Sequence, residues 1–187
     1  IHNTPIAEML PDTTCACINE KYKVAYVGIL QEDRMLCELL DYFKGHPNIE
    51  LYAGGFGRLD NAFIQASKNY ENIFFFGKIP YKKTLELENH CDIMLAIYDP
   101  RVANNRNAAP NKFYEGLMLG KPLIMAKGTG MSEIVENNRL GAVIDYSEKG
   151  LEEGISELIA RNNEWPEISS KMKAIYKKEY AWDIMER

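Results

Sequence analysis

The chain has 187 residues, 46% hydrophobic, 11% aromatic and 26% charged, the proportions of a soluble globular domain and not of a disordered or fibrous chain. A formal net charge of −5 and a pI near 5.3 leave no global positive field to draw nucleic acid or anionic lipid to the surface. The length suits one domain with a terminal appendage, large enough to bury a core without disulfide staples.

Residues 1–10 have neither the charged start nor the apolar stretch of a signal peptide, and no apolar run approaches the roughly 18 residues of a membrane span. Cys15 and Cys17 lack the second pair or nearby His that would complete a zinc site, so they read, with Cys37 and Cys91, as buried reduced thiols. A cytoplasmic location is expected. Starting at Ile1, the chain also reads as a piece of a longer protein.

Residues 1–20 read as an irregular connector. Short β-rich runs then alternate with amphipathic ones. Residues 23–28 (KVAYVG) predict a buried strand, and 33–44 a helix with Met35, Leu36, Leu39, Leu40 and Phe43 on one face. A strand over 49–53 follows, then Gly54-Gly55-Phe56-Gly57, read as a flexible turn, and a helix near 59–70. Next come a strand over 73–76 ended by Gly77, a helix over 81–89, a strand over 92–97 and a long polar loop through Asn107. The remainder predicts a helix over 111–119, strands over 122–125 and 142–144 separated by a short helix near 131–136, and a helix over 148–159. A last helix begins at Pro166 and carries Ile168, Met172, Ile175 and Tyr176 on one face. The alternation predicts an α/β fold: a Rossmann-like, doubly wound parallel sheet of about six strands over residues 21–164, with an extra C-terminal helix over 165–187.

In an open parallel sheet, ligands lie beyond the carboxyl ends of the strands, where helix N-termini offer N–H groups and a positive dipole end to phosphate. The loop from Gly28 to Arg34 is not G-x-G-x-x-G, and no G-x-x-x-x-G-K-[ST] occurs, so dinucleotide binding by the usual fingerprint and P-loop hydrolysis lose their main support. Gly77-Lys78-Ile79-Pro80 either sets backbone groups against a base or simply turns the chain into a Pro-started helix. The informative stretch is 99–122, DPRVANNRNAAPNKFYEGLMLGKP. Its helix opens with Asn111 and Lys112, and Glu115 follows three residues later on the same face. Phosphate would bind the helix start and Lys112 while Glu115 accepts hydrogen bonds from a ribose diol; the same spacing also suits an ordinary surface pair. The Gly-rich turn through Gly128 and Gly130 is a second anion nest, or else a turn in which Ser132 caps a helix.

PNKFYEGLMLGKPLI, the Gly-rich turn and SEIVENNRLGAVID together resemble the donor-binding half of retaining glycosyltransferases of the GT-B fold, family 4 type (glycosyl transferases group 1). The resemblance implies that Glu115 binds the ribose hydroxyls. Asn107, eight positions earlier, stands where the family has a Glu on the donor sugar. VAYVGIL with Arg34 is similar to the family's strand, glycine and basic phosphate ligand, and NIFFFGKIPYKKTLEL to its base-contacting turn, which puts Lys78 and Ile79 at the base. Ile29 stands where the family has Arg, leaving the diphosphate to Arg34, Lys112, Asn111 and backbone N–H groups such as that of Gly130.

Residues 1–5 resemble the connector from a preceding acceptor-binding domain, and the helix through Trp182 the one that crosses back to it. The resemblance implies a hexosyltransferase that uses a nucleoside-diphosphate sugar, without cofactor or essential metal, in polysaccharide or glycoconjugate biosynthesis. Its acceptor would sit on a missing domain, so this part alone is expected to be inactive. Nucleic acid is not an expected partner; peripheral association of the full-length protein with the inner membrane face is. Two alternatives remain: a degenerate nucleotide-binding module without turnover, suggested by Asn107 and Ile29, and a GT-B-like sugar-nucleotide epimerase.

Overall fold

The computed structural model describes residues 21–181. Within them β1 (Tyr22–Leu30), α1 (Leu36–Gly45), β2 (Ile49–Gly57), α2 (Asp60–Asn69), β3 (Ile73–Phe75), α3 (Tyr81–His90) and β4 (Ile93–Ala96) make the first half. The second half is α4 (Ala103–Arg106), α5 (Asn111–Leu119), β5 (Leu123–Ala126), α6 (Ser132–Asn138), β6 (Gly141–Ile144), α7 (Glu148–Ala160) and α8 (Trp165–Ile175). The strands form one parallel sheet in the order β3-β2-β1-β4-β5-β6. The chain winds outward from β1 to β3 and then returns to start again at β4, so β1 and β4 are neighbours at the reversal point.

Apolar runs without polar alternation bury both sheet faces. Val24, Tyr26, Ile93 and Leu95 point into one layer with Leu36, Leu39 and Phe43 of α1, Phe63 of α2 and Leu151, Ile155 and Leu158 of α7. Ala25, Met94 and Ala96 point into the other, with Leu85 of α3, Phe113, Tyr114 and Leu117 of α5, and Ile168 and Met172 of α8. Each large aliphatic or phenylalanine side chain among them contributes about 1.5 to 3 kcal/mol by leaving water.

The sequence-based elements and the structure differ in several places, among them the C-terminal helix expected over 165–187, whose α-helical part ends at Ile175 with Ala181 already extended. Gly54 to Gly57 do not turn but continue β2, paired residue by residue with Val27 to Leu30 of β1; glycines let the two backbones stay close enough to extend the ladder. The polar loop after β4 contains the single turn of α4. Cys37 is exposed, because it lies off the apolar stripe of α1, whereas Cys91 is buried. Ser132 does not cap α6: its hydroxyl donates to the Thr129 carbonyl at 2.7 Å.

The C-terminal helix seats Ile168 and Met172, with Tyr176 in the turn beyond it, against the layer that holds Phe113 and Tyr114. Residues 1–20, with Cys15, Cys17 and the expected connector, lie outside the described residues, as do 182–187 with Trp182. No helix among the described residues is long and apolar enough to cross a membrane.

Candidate donor-nucleotide site

At the reversal point the exits of β1 and β4 and the start of α5 enclose a cavity of about 300 Å³. Its lining includes Tyr26, Arg34, Tyr98, Asn111, Lys112 and Glu115. Arg34 ends a short 3₁₀ turn, Glu32–Arg34, and Met35 follows in the left-handed region at φ 54°, reversing the chain between that turn and α1. Lys112 and Glu115 sit on successive turns of α5 and are only 8% and 4% exposed, which excludes the surface-pair reading.

Both cations rest on aromatic faces. The Arg34 guanidinium lies 4.0 Å from the Tyr98 ring centroid, and the Lys112 ammonium lies 4.9 Å from that of Tyr26 and 5.8 Å from that of Tyr98. Such contacts hold a cation in place without neutralising it and are worth about 0.5 to 2 kcal/mol each. Burial opposes the charge on Lys112, but the Tyr98 and Tyr26 oxygens, the Glu115 carboxylate and, once it ionises, Glu88 outweigh it and hold the ammonium above the ordinary lysine range. Burial pushes the Glu115 carboxyl up, against the opposing pull of Lys112 and of the hydrogen bond from Tyr81. Gly28 makes room for Lys112: at φ 156° it passes beneath the ammonium, where a Cβ would collide with Nζ.

Asn105 joins the loops that surround the cavity. Its side-chain amide donates to the Asp99 carbonyl at 3.0 Å, its Oδ1 accepts from Arg34 at 3.4 Å, and its own carbonyl accepts the Gly130 N–H at 3.1 Å. The Asp99 N–H donates in turn to the Asp33 carbonyl at 3.0 Å, tying the exit of β4 to the Arg34 turn. Among the described residues no cluster of three or more His, Cys, Asp or Glu is placed to hold a metal ion.

A profile of the glycosyl transferases group 1 family matches residues 17–179. The chain belongs to this family, which is of the GT-B type. Among solved structures, sucrose-phosphate synthase from Thermosynechococcus elongatus superposes with a TM-score of 0.75 at 13% identity over 97% of this chain. Anabaena HepE in complex with UDP and glucose gives 0.73 at 16% identity over all of it. The C-terminal domain of LpcC, a glycosyl transferase group 1 family protein from Francisella tularensis, gives 0.68 at 14% identity over 95%. This chain spans 48% of the synthase and 55% of HepE, but 99% of the LpcC domain. No curated protein sequence matches significantly.

In this glycosyl transferase group 1 domain, four residues singled out from the sequence meet at one cavity: Arg34, Asn111, Lys112 and Glu115. Gly28 and Ile29 of β1 line it beside them, whereas the remaining candidates do not reach it. Gly130 has its N–H committed to Asn105, and a Cβ there would collide with the Ala108 carbonyl, so the glycine serves loop packing. Lys78 is exposed and sits 4.9 Å from the Phe56 ring, while Ile79 packs toward Gly54. Asn107 is exposed at the end of α4. Sequence reading missed Tyr26, Tyr81, Thr84 and Tyr98 in the lining, and Asn105 behind it. A tyrosine within or just beyond an otherwise aliphatic strand was the available signal for Tyr26 and Tyr98; nothing marked Asn105 among its neighbouring asparagines.

Proposed function

We propose that this chain is the donor-binding domain of a retaining glycosyltransferase that transfers a hexose from a nucleoside-diphosphate sugar. The observation that carries this reading is the convergence of Arg34, Lys112 and Glu115, from segments far apart in the chain, on one cavity at the reversal point of the sheet. As the bond from the sugar to the diphosphate breaks, negative charge grows on the departing phosphate oxygens. Two cations held ready on aromatic faces stabilise that charge without reorganising. The reading assigns this task to Arg34 and Lys112 and includes no cofactor or essential metal.

Ribose hydroxyls donate to the Glu115 carboxylate, Asn111 and the start of α5 take a phosphate oxygen, and the exposed edge at Lys78 and Ile79 takes the base. Asn107 belongs to the sugar end of the same proposal, whereas Gly130, its N–H bonded to the Asn105 carbonyl, serves the packing of the neighbouring loops and takes no phosphate. That HepE has been solved with UDP-glucose and with UDP supports UDP as the first probe. The acceptor would bind a preceding domain, so this chain alone would not transfer sugar. Polysaccharide or glycoconjugate synthesis, a cytoplasmic location and association with the membrane face belong to the same reading.

Calorimetry with UDP tests the site. Glu115→Ala removes charged hydrogen-bond acceptors worth about 1.5 to 3 kcal/mol, or roughly ten- to a hundred-fold in affinity. Undiminished affinity would remove Glu115 from the ribose site. Turnover is tested separately, by following donor hydrolysis and sugar transfer with the full-length protein.

A further inference from the structure

Helix α3 places Tyr81, Thr84 and Glu88 on one face at helical spacing, toward the side on which α5 carries Lys112 and Glu115. Tyr81 and Thr84 line the cavity. Glu88, one turn deeper, is 1% exposed, and neither of its carboxyl oxygens has a hydrogen-bond partner among the described residues. The charged groups within its electrostatic reach are Lys112 and Glu115 of α5. On its own helix it faces Tyr81, and Cys91 just beyond the helix end. From β1, which also packs on α3, the nearby contribution to the apolar layer around Leu85 is the uncharged Ala25, and the charged Lys23 meets α3 at its last residue, His90, at 2.7 Å.

Two buried carboxyls therefore share one ammonium. Lys112 balances a single negative charge, and the two carboxyls differ in what surrounds them. Glu115 opens onto the cavity and receives the Tyr81 hydroxyl, whereas Glu88 has no donor among the described residues and is almost wholly shut off from solvent. An unpaired, unhydrated carboxylate is far more costly to bury than a carboxylic acid. The charge thus resides on Glu115.

We propose that Glu88 is a positioning residue of the nucleotide site, a neutral carboxylic acid whose lack of charge leaves Lys112 and Glu115 balanced and the ammonium directed to the cavity. The proposal rests on the donor-site reading above. Burial, reinforced by the Glu115 charge and opposed by Lys112, holds the Glu88 carboxyl well above the ordinary carboxylate range. When Glu88 ionises, its new charge competes for Lys112 from behind and adds negative potential against an incoming diphosphate. Nucleotide affinity should then fall on the alkaline side, by up to about tenfold per pH unit for a single linked proton.

Two measurements on the same protein test this. Infrared spectroscopy of the unliganded wild type should show the C=O stretch of a buried carboxylic acid at neutral pH, and Glu88→Gln should remove it. Calorimetric titration with UDP across pH should show an alkaline loss of affinity in the wild type, its absence in Glu88→Gln, and its return in Glu88→Asp, which restores a titrating group. No carboxylic acid band in the wild type, a band that survives Glu88→Gln, or the same pH profile for wild type and Glu88→Gln would each overturn the inference. The wild-type infrared result stands even if a variant fails to fold. A wild type that binds no UDP at any pH overturns the donor-site reading itself, whereas binding with a profile indifferent to Glu88→Gln overturns only the role of Glu88.

Discussion

Replacing Lys112 with Met keeps the length and apolar stem of the side chain but removes the one cation between two buried carboxyls. Breaking a buried ion pair by deleting one partner costs about 3 to 5 kcal/mol when the remaining charge stays. Here the remaining charge has an escape, because Glu115 can take up a proton. Its folded-state carboxyl already lies above the ordinary range through burial, and losing Lys112, which now pulls it down, moves it higher. A carboxyl raised in the folded state binds more protons than in the unfolded chain, so stability is greatest below the unfolded value of about 4.3 and is lost as pH rises through the folded value. The deficit of Lys112→Met should therefore be small near about pH 5 and reach a few kcal/mol at neutral pH. Urea denaturation at a series of pH values, read as a shift in midpoint at constant slope, measures it. Adding Glu115→Gln should recover most of the neutral-pH loss. In the ligand arm, Lys112→Met should weaken UDP about ten- to a hundred-fold and the matching nucleoside, uridine, far less. A stability deficit of the same size at every pH, or a double variant no better than the single one, would refute the argument.

Gly130→Ala should destabilise the domain by about 1 to 3 kcal/mol, since the new Cβ meets the Ala108 carbonyl and one of two rigid backbones must shift; a thermal melt of the variant decides it. Asn105→Ala should cost about 0.5 to 1.5 kcal/mol by removing one of the two donors to the Asp99 carbonyl and leaving only the Val102 N–H at 3.2 Å. It should also weaken UDP, because Arg34 loses one of its two acceptors and keeps only the Asp33 carboxylate at 3.4 Å. A stable variant with full UDP affinity would show that Asn105 does not organise the loops.

Strand and helix order was legible because each α/β unit states itself locally: an aliphatic run for a doubly buried strand, then apolar residues at helical spacing. Met35, Leu36, Leu39, Leu40 and Phe43 were read as one face and are all buried. What misled was glycine. Gly54 to Gly57 suggest a turn by composition, yet pairing with β1 decides their conformation, and no local pattern reports a neighbour that lies far away in sequence. The same limit applies to the site. Lys112 and Glu115 were visible as an i,i+3 pair on a helix after a strand, but their burial depends on α3 and β1. In the sequence Glu88 is one of several charges on the polar helix α3; only the packing of α3 against α5 shows that it is buried. Asn105 is distinguished from Asn104 and Asn107 solely by three tertiary hydrogen bonds.

The pairing of β1 with β4, in which Val24 lies opposite Ile93, has a kinetic consequence. The cavity needs Tyr26 and Arg34 from the first βα unit together with Tyr98 and Lys112 from beyond the fourth strand, so no folding intermediate confined to either half can display it. Its closure waits for a contact of long sequence separation, the kind that forms late. A nucleotide therefore has nothing to bind while the chain is still winding, and little influence on how fast it folds. Its stabilisation, about 2.7 kcal/mol at a hundred times Kd, falls instead on the unfolding step, which slows by roughly a hundredfold. A nucleotide held at the proposed donor site would act on this domain as a latch on the finished sheet.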